Sequence, residues 1–256
     1  MSNSPATKPK SSINYGDAFK VGDHVIACGD AQDAALVDRL LKGVKVRAVI
    51  SDVPYGVNLV ESKAGLVKLS VQKNILNDDL KESEYAQFTR EWIAPVLPHL
   101  MAKNSFYVFG CDPTFPTLRQ GMEQAGLKFS QMLIWAKSAP VMGRKDFLIQ
   151  HELIAVGWFK THYFRKSKDR SLLFFPKPAR NPLHPSQKPV PLIRHLILNT
   201  TDIGDTVYDP FMGSGTLAVA AEQSKRKSVC MDRDPEYVQT ALDRMERVFG
   251  LKAQKI

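Results

Sequence analysis

Apolar residues recur along this chain in two alternating rhythms. Short β-rich runs read as strands: Val21 to Cys28, Val44 to Ile50, Ser105 to Phe109, Leu127 to Trp135, Glu152 to Phe159, Thr206 to Asp209 and Lys227 to Asp232. Between them, apolar positions fall at helical spacing. These are Ala34 to Leu41; Tyr85, Phe88, Trp92 and Val96; Phe115, Leu118, Met122 and Ala125; and Leu192, Ile193, Leu196 and Ile197. Leu217 to Gln223 and then Pro235 to Phe249, with Val238, Leu242 and Met245 inward, complete the set. Strands alternating with helices predict an α/β fold built on a doubly wound, mostly parallel sheet. Leu127–Trp135 and Glu152–Phe159 are joined by a polar Gly- and Pro-containing segment instead of a helix, which predicts an antiparallel edge.

The interruptions divide the chain. Residues 1–15 are rich in Ser, Asn, Lys and Pro and read as a disordered arm, leaving 16–256 as a single domain. Val44–Ile50 stops at Ser51-Asp52-Val53-Pro54-Tyr55-Gly56, where proline and glycine end the strand. From Val57 to Asp79 no periodicity survives, the mark of a functional lid or a disordered stretch.

A chain of 256 residues, 44% of them hydrophobic, buries one substantial core and is cramped for two. It has no apolar run of membrane-spanning length and no hydrophobic signal core among the first fifteen residues, so a cytoplasmic location is expected. Cys28, Cys111 and Cys230 are widely spaced and lack a CxxC pair, which suggests neither a disulfide framework nor a metal site. The net charge of +9 favours polyanionic partners, nucleic acid first. Between residues 160 and 180, seven basic residues (Lys160, Arg165, Lys166, Lys168, Arg170, Lys177, Arg180) face one acid, Asp169. Charge runs are usually solvated loops. Here Tyr163, Phe164, Phe174 and Phe175 are interleaved, a combination suited to neutralising phosphates and stacking on bases.

Two motifs carry chemistry. Asp209-Pro210-Phe211-Met212-Gly213-Ser214-Gly215-Thr216 joins a strand to a helix, where glycines allow a tight turn and close approach of a ligand. Asp232 ends the next strand, 23 residues after Asp209, near the spacing at which an acid reaches ribose hydroxyls; helix capping is its structural alternative. A third glycine is absent, and an acid precedes the turn, which fits a cationic ligand such as S-adenosylmethionine better than a dinucleotide. The second motif is Asp52-Val53-Pro54-Tyr55. An exocyclic amine on a base is a poor nucleophile, because its lone pair is delocalised into the ring. Two acceptors, the Asp52 carboxylate and a backbone carbonyl of the turn, would take its N–H hydrogens and localise that pair, while Tyr55 stacks on the base. Taken alone, the tetrapeptide also reads as an ordinary strand-to-loop turn.

Together, Asp52-Val53-Pro54-Tyr55, His184-Pro185-Ser186-Gln187-Lys188-Pro189 and Asp209 to Thr216, in that order, resemble the beta group of DNA amino-methyltransferases, from about Gly29 to the C-terminal helix. The resemblance implies an S-adenosylmethionine-dependent methyltransferase acting on double-stranded DNA in a permuted motif order. It implies catalytic roles for Asp52, Pro54 and Tyr55. It implies cofactor contacts from Asp30, His184, Ser186, Lys188, Asp209, Phe211, Gly213, Gly215, Thr216 and Asp232. It places a target-recognition insertion at 137–183, with Lys160, Arg165, Lys166, Lys168 and Arg170 as DNA contacts. The leading Asp is more typical of adenine N6 than of cytosine N4 methylation. Val53 stands where the family usually has proline; it supplies the same carbonyl, and it keeps open a catalytically impaired DNA-binding module as the alternative. A cytosine C5 enzyme needs a nucleophilic cysteine, typically preceded by proline, and none of the three cysteines has one. An RNA or protein methyltransferase could share the tetrapeptide, but the permuted order argues for DNA. A homodimer and a restriction partner are compatible with the sequence, which specifies neither.

Overall fold

The computed structural model describes residues 12–55, 82–140, 146–165, 168–176 and 187–256. The expected strands and helices are present, with additions at the edges. The strands are β1 (Ala18–Val21), β2 (His24–Cys28), β3 (Val46–Asp52), β4 (Leu100–Gly110), β5 (Leu127–Ala136), β6 (His151–Phe159), β7 (Thr161–His162), β8 (Leu172–Phe174), β9 (Thr206–Asp209), β10 (Lys227–Asp232) and β11 (Ala253–Lys255). The helices are α1 (Ala34–Leu41), α2 (Glu82–Ile93), α3 (Phe115–Gln124), α4 (Val190–Thr200), α5 (Thr216–Gln223) and α6 (Pro235–Phe249), with a 3₁₀ turn over Ala94–His99 after α2.

Strands follow the order β11-β1-β2-β10-β9-β3-β4-β6-β5-β8 in one sheet, with β7 beside β4. β2, β10, β9, β3 and β4 run parallel. β6 is antiparallel to both β4 and β5, which is the antiparallel edge expected from the missing crossover helix. The helices cover both faces. Leu192, Leu196, Ile197, Leu217 and Val238 pack on one face and Leu36, Val37, Trp92, Leu118 and Met122 on the other, with alternate residues of β4 pointing to each. Tyr107 and Phe109 join the first cluster, Phe106 and Val108 the second.

Two differences from expectation are local. The single strand expected over Val21 to Cys28 is a hairpin, because Gly22 adopts φ +58° and reverses the chain between β1 and β2. The arm expected through Tyr15 is already folded at its end, where Ile13 is buried in the core and the Asn14 amide donates to Asp17 Oδ2 at 3.0 Å. Residues 1–11 and the 57–79 segment lie outside the described residues. Among the described residues, no helix is long and apolar enough to cross a membrane.

Candidate active site

The carboxyl ends of the parallel strands form one edge of the sheet, where open α/β folds hold their ligands. The order of strands sets an order of acids along that edge: Asp30 just past β2, Asp232 ending β10, Asp209 ending β9 and Asp52 ending β3. β6 runs the other way and so starts at this edge, with Leu153 opposite Gly110, which brings Glu152 into the same row.

The turn after β9 is held by its acids. Gly213 and Gly215 adopt φ +51° and +75°, in the left-handed region that glycine enters at low cost. A Cβ at Gly215 would stand 2.8 Å from Ala241 Cβ, so glycine also permits α6 to close on the turn. Asp232 accepts the Gly213 amide at 2.9 Å through Oδ2 and the Asp234 amide at 2.9 Å through Oδ1. Asp234 is the N-cap of α6. Asp30 accepts from the Gln32 amide at 3.0 Å and meets Arg233 at 3.3 Å. The Phe211 ring packs on Phe88 and, edge-on, on Trp92, with centroids 5.8 and 5.7 Å away. Beneath the turn, buried Arg244 donates to the Ser214 carbonyl at 3.0 Å and to Thr216 Oγ1 at 3.2 Å. The Thr216 hydroxyl is therefore turned inward, where it fixes the turn.

Asp209 is buried, and burial pushes its carboxyl up to about 7, against the hydrogen bonds from Ser51 and the Phe211 amide. Ser51 Oγ donates to Asp209 Oδ1 at 2.8 Å, which ties the strand that leads into Asp52-Val53-Pro54-Tyr55 to the strand that leads into the glycine turn. Three carboxylates around a turn with left-handed glycines form a set of acceptors suited to a ligand that carries hydroxyls and positive charge. Asp30, Asp209 and Asp232 fit S-adenosylmethionine in that respect.

At the end of β3 and the start of β6 lies a buried ionic cluster. Lys188, next to α4, places Nζ 2.5 Å from Asp52 Oδ2 and 3.0 Å from Glu152 Oε2. Lys137, just past β5, lies 2.7 Å from Glu152 Oε1. The Tyr55 hydroxyl is 2.9 Å from Asp52 Oδ1 and 2.9 Å from Glu152 Oε2. Burial raises the Asp52 carboxyl; Lys188 opposes the rise and Glu152 adds to it. Glu152 suffers the same desolvation, but Lys188 and Lys137 pull it down to about 2. Burial works against the Lys188 ammonium, yet Asp52 and Glu152 hold it above its usual range. Val53 is buried against the α1 and α2 side of the core, so valine is accommodated in the position where the family usually has proline.

The structure thus brings Asp52, Pro54, Tyr55, Asp30, Lys188, Asp209, Phe211, Gly213, Gly215, Thr216 and Asp232 to one edge. Lys188, expected near the cofactor, meets the carboxylates of Asp52 and Glu152 there. His184, Ser186 and Lys166 lie outside the described residues. The remaining basic residues are not brought to the site. β6 carries the chain away from the catalytic edge for nine residues, roughly 25 Å at strand rise, so Lys160 emerges at the opposite edge. Arg165 is pinned there by Asp202 at 3.1 Å and by its amide on the Asn199 carbonyl. Asp169 binds His195 of α4 at 2.8 Å, leaving Lys168 and Arg170 exposed on that flank. The antiparallel direction of β6 sets these described residues at the other end of the sheet from Asp52. Glu152 and Lys137 went unnoticed in the sequence. The only available signal was the antiparallel direction of β6, which puts the start of that strand beside the end of β4.

A glycine turn ringed by carboxylates, next to a strand-end Asp-x-Pro-Tyr, defines a methyltransferase of the S-adenosylmethionine-dependent class. A family model described as DNA methylase, of the N6 and N4 type, matches residues 46–243, and the chain belongs to that family. It is 26% identical over 226 residues to the Type II methyltransferase M2.DpnII of Streptococcus pneumoniae, covering 80% of this chain and 84% of that one. It is 23% identical over 256 residues to M.HpaI of Haemophilus parainfluenzae, covering 89% and 76%. Among solved structures, the M1.HpyAVI–SAM complex superposes with a TM-score of 0.63 at 25% identity, covering 86% of this chain and 98% of that one. The cytosine-N4-specific PvuII DNA methyltransferase shares the fold, with a TM-score of 0.67 at 17% identity over 91% and 89% of the two chains. The protein is an S-adenosylmethionine-dependent DNA methyltransferase.

Proposed function

We propose that this enzyme methylates adenine N6 at a specific sequence in double-stranded DNA, on a base turned out of the helix into the catalytic edge. The observation that carries the reading is the position of Asp52. Its carboxylate ends β3, beside the cofactor turn, and is held by Lys188 and Tyr55. From there it accepts one N–H of the exocyclic amine while the Val53 carbonyl accepts the other, and the Tyr55 ring stacks on the base. S-adenosylmethionine supplies the methyl group from its sulfonium. No metal and no covalent enzyme intermediate is required, because the methyl donor already carries its leaving group.

Adenine rests on the leading Asp of the tetrapeptide. The 137–183 insertion is the proposed reader of sequence. Its part near the catalytic edge, with Phe147 and Phe174 exposed, is better placed for the target than Lys160 or Arg165. The Type II names of the relatives support a modification role paired with a restriction enzyme. The test is expression in a methylation-free host followed by sequencing that detects modified bases. N6-methyladenine at one recurrent motif is expected. N4-methylcytosine would reassign the base, and unmodified DNA with binding retained would leave a silent DNA-binding module.

Cofactor affinity should depend on pH through Asp209. Its folded carboxyl titrates near 7, and a cationic ligand prefers the ionised form, so affinity should rise as pH increases through about 7 and then level off. Calorimetric titration between pH 5.5 and 8.5 checks this, with Asp209→Asn expected to bind more weakly and without the pH step. A wild type with flat affinity across the range removes Asp209 from the cofactor's electrostatics.

A further inference from the structure

The Tyr55 hydroxyl has one hydrogen, and it lies 2.9 Å from each of two carboxylates, Asp52 Oδ1 and Glu152 Oε2. A hydroxyl can donate to only one of them at a time. With both acids ionised, one of the two contacts is between an oxygen lone pair and a carboxylate and carries no hydrogen. Both contacts become hydrogen bonds once one carboxyl gains a proton. The cluster therefore has a place for one further proton, at the carboxylate that ends β3. Glu152 is kept from taking that proton by two ammonium groups, Lys137 on Oε1 at 2.7 Å and Lys188 on Oε2 at 3.0 Å.

Resting on the amino-methyltransferase reading above, we propose that Glu152 is a positioning residue for methyl transfer, which receives the Tyr55 hydroxyl at the moment Asp52 takes the proton leaving the amine. In the step itself, the amine lone pair forms the new N–C bond and the electrons of the C–S bond stay on sulfur. The amine is left with a proton to lose, and the electrons of that N–H bond remain on nitrogen. The proton passes to Asp52, whose new O–H then donates to Tyr55 Oη. The Tyr55 hydrogen swings from Asp52 Oδ1 to Glu152 Oε2. Nothing else changes in the cluster, and Lys188 continues to bridge the two acids. Glu152 thus gives a buried carboxylate a stable protonated state without water.

The groups that face this pair set the pH behaviour. They are Tyr55 from the turn, Lys137 from the end of β5, Lys188 from the approach to α4, and Asp209 from β9, whose charge is felt through Asp52. Glu152→Gln keeps the size of the side chain and removes its charge. Single-turnover methyl transfer is expected to fall about 10- to 100-fold, with cofactor affinity nearly unchanged. The acid limb of the rate profile should move to lower pH, since an anionic neighbour that helped Asp52 hold a proton is gone. Tyr55→Phe keeps the ring and breaks the link between the acids, so it should slow transfer similarly, and Glu152→Gln added to it should cost little more. A merely structural Glu152 would scale the whole profile and leave the limb in place. An unmoved limb, or losses that multiply in the double variant, overturns the proposal. A wild type that transfers no methyl group to DNA overturns the underlying reading as well, whereas an active wild type beside an unaffected Glu152→Gln overturns this proposal alone.

Discussion

Asp52→Ala is expected to lower the rate of methyl transfer by about 100- to 1000-fold while leaving cofactor binding nearly intact. The two effects separate because the cofactor turn is anchored elsewhere. Asp232 holds Gly213, Arg244 holds Ser214 and Thr216, and Ser51 rather than Asp52 reaches across to Asp209. Removing the carboxylate deletes the acceptor that draws the amine's hydrogen, and with it the localisation of the lone pair that makes the amine nucleophilic. Lys188 keeps Glu152 as a partner in the variant, so the buried ammonium stays paired. Single-turnover transfer with labelled cofactor and calorimetric cofactor titration are the paired measurements. Transfer at the wild-type rate would remove Asp52 from the chemistry.

Lys188→Met should produce the largest loss of stability at the site. The ammonium sits between two carboxylates that are themselves largely enclosed, and its removal leaves them facing each other with Lys137, on the far oxygen of Glu152, as the remaining cation in contact among the described residues. Breaking a buried pair in this way typically costs about 3–5 kcal/mol. The sign of the pH dependence follows from Glu152. In the wild type its folded carboxyl lies near 2, below the ordinary value of 4.5, so it contributes stability that is present above the ordinary value and is lost as pH falls toward 2. In the variant that contribution shrinks, and both acids are pushed toward holding protons. The deficit relative to wild type should therefore be largest near pH 7 and smaller near pH 4.5. Urea unfolding at the two pH values measures it. A deficit of equal size at both would show that lost packing of the lysine stem, and not the charge, is responsible.

The glycine turn and its acids were readable because their determinants are local. A turn with glycines in the left-handed region, an acid before it and an acid ending the following strand occupy one βαβ unit, so spacing along the chain translates into distance. Asp52-Val53-Pro54-Tyr55 was readable for the same reason: proline and glycine end a buried strand, and the strand's end is the ligand edge. The hairpin at Gly22 and the short β7, β8 and β11 were not readable. They are brief, and β7 and β11 are fully exposed, so no apolar rhythm marks them.

The placement of charge needed the whole sheet. Lys160 and Arg165 are near Glu152 in sequence, but β6 separates them by the length of a strand, and the compositional signal of a basic, aromatic run carries no direction. Lys188 belongs to a motif associated with the cofactor, yet its ammonium closes the circuit between Asp52 and Glu152.

From its amino acids alone, this chain determined an alternating α/β architecture, an antiparallel edge, a strand-to-helix glycine turn and a strand-end Asp-x-Pro-Tyr, because each follows from residues close together in sequence whose backbone preferences and apolar spacing are fixed locally. Tertiary structure alone decided that Glu152 and Lys137 join Asp52 and Lys188 in one cluster and that the described part of the basic run lies away from it. Those relations depend on the direction in which one strand crosses the sheet, and on a burial that leaves Lys188 shared between Asp52 and Glu152 and Lys137 paired with Glu152.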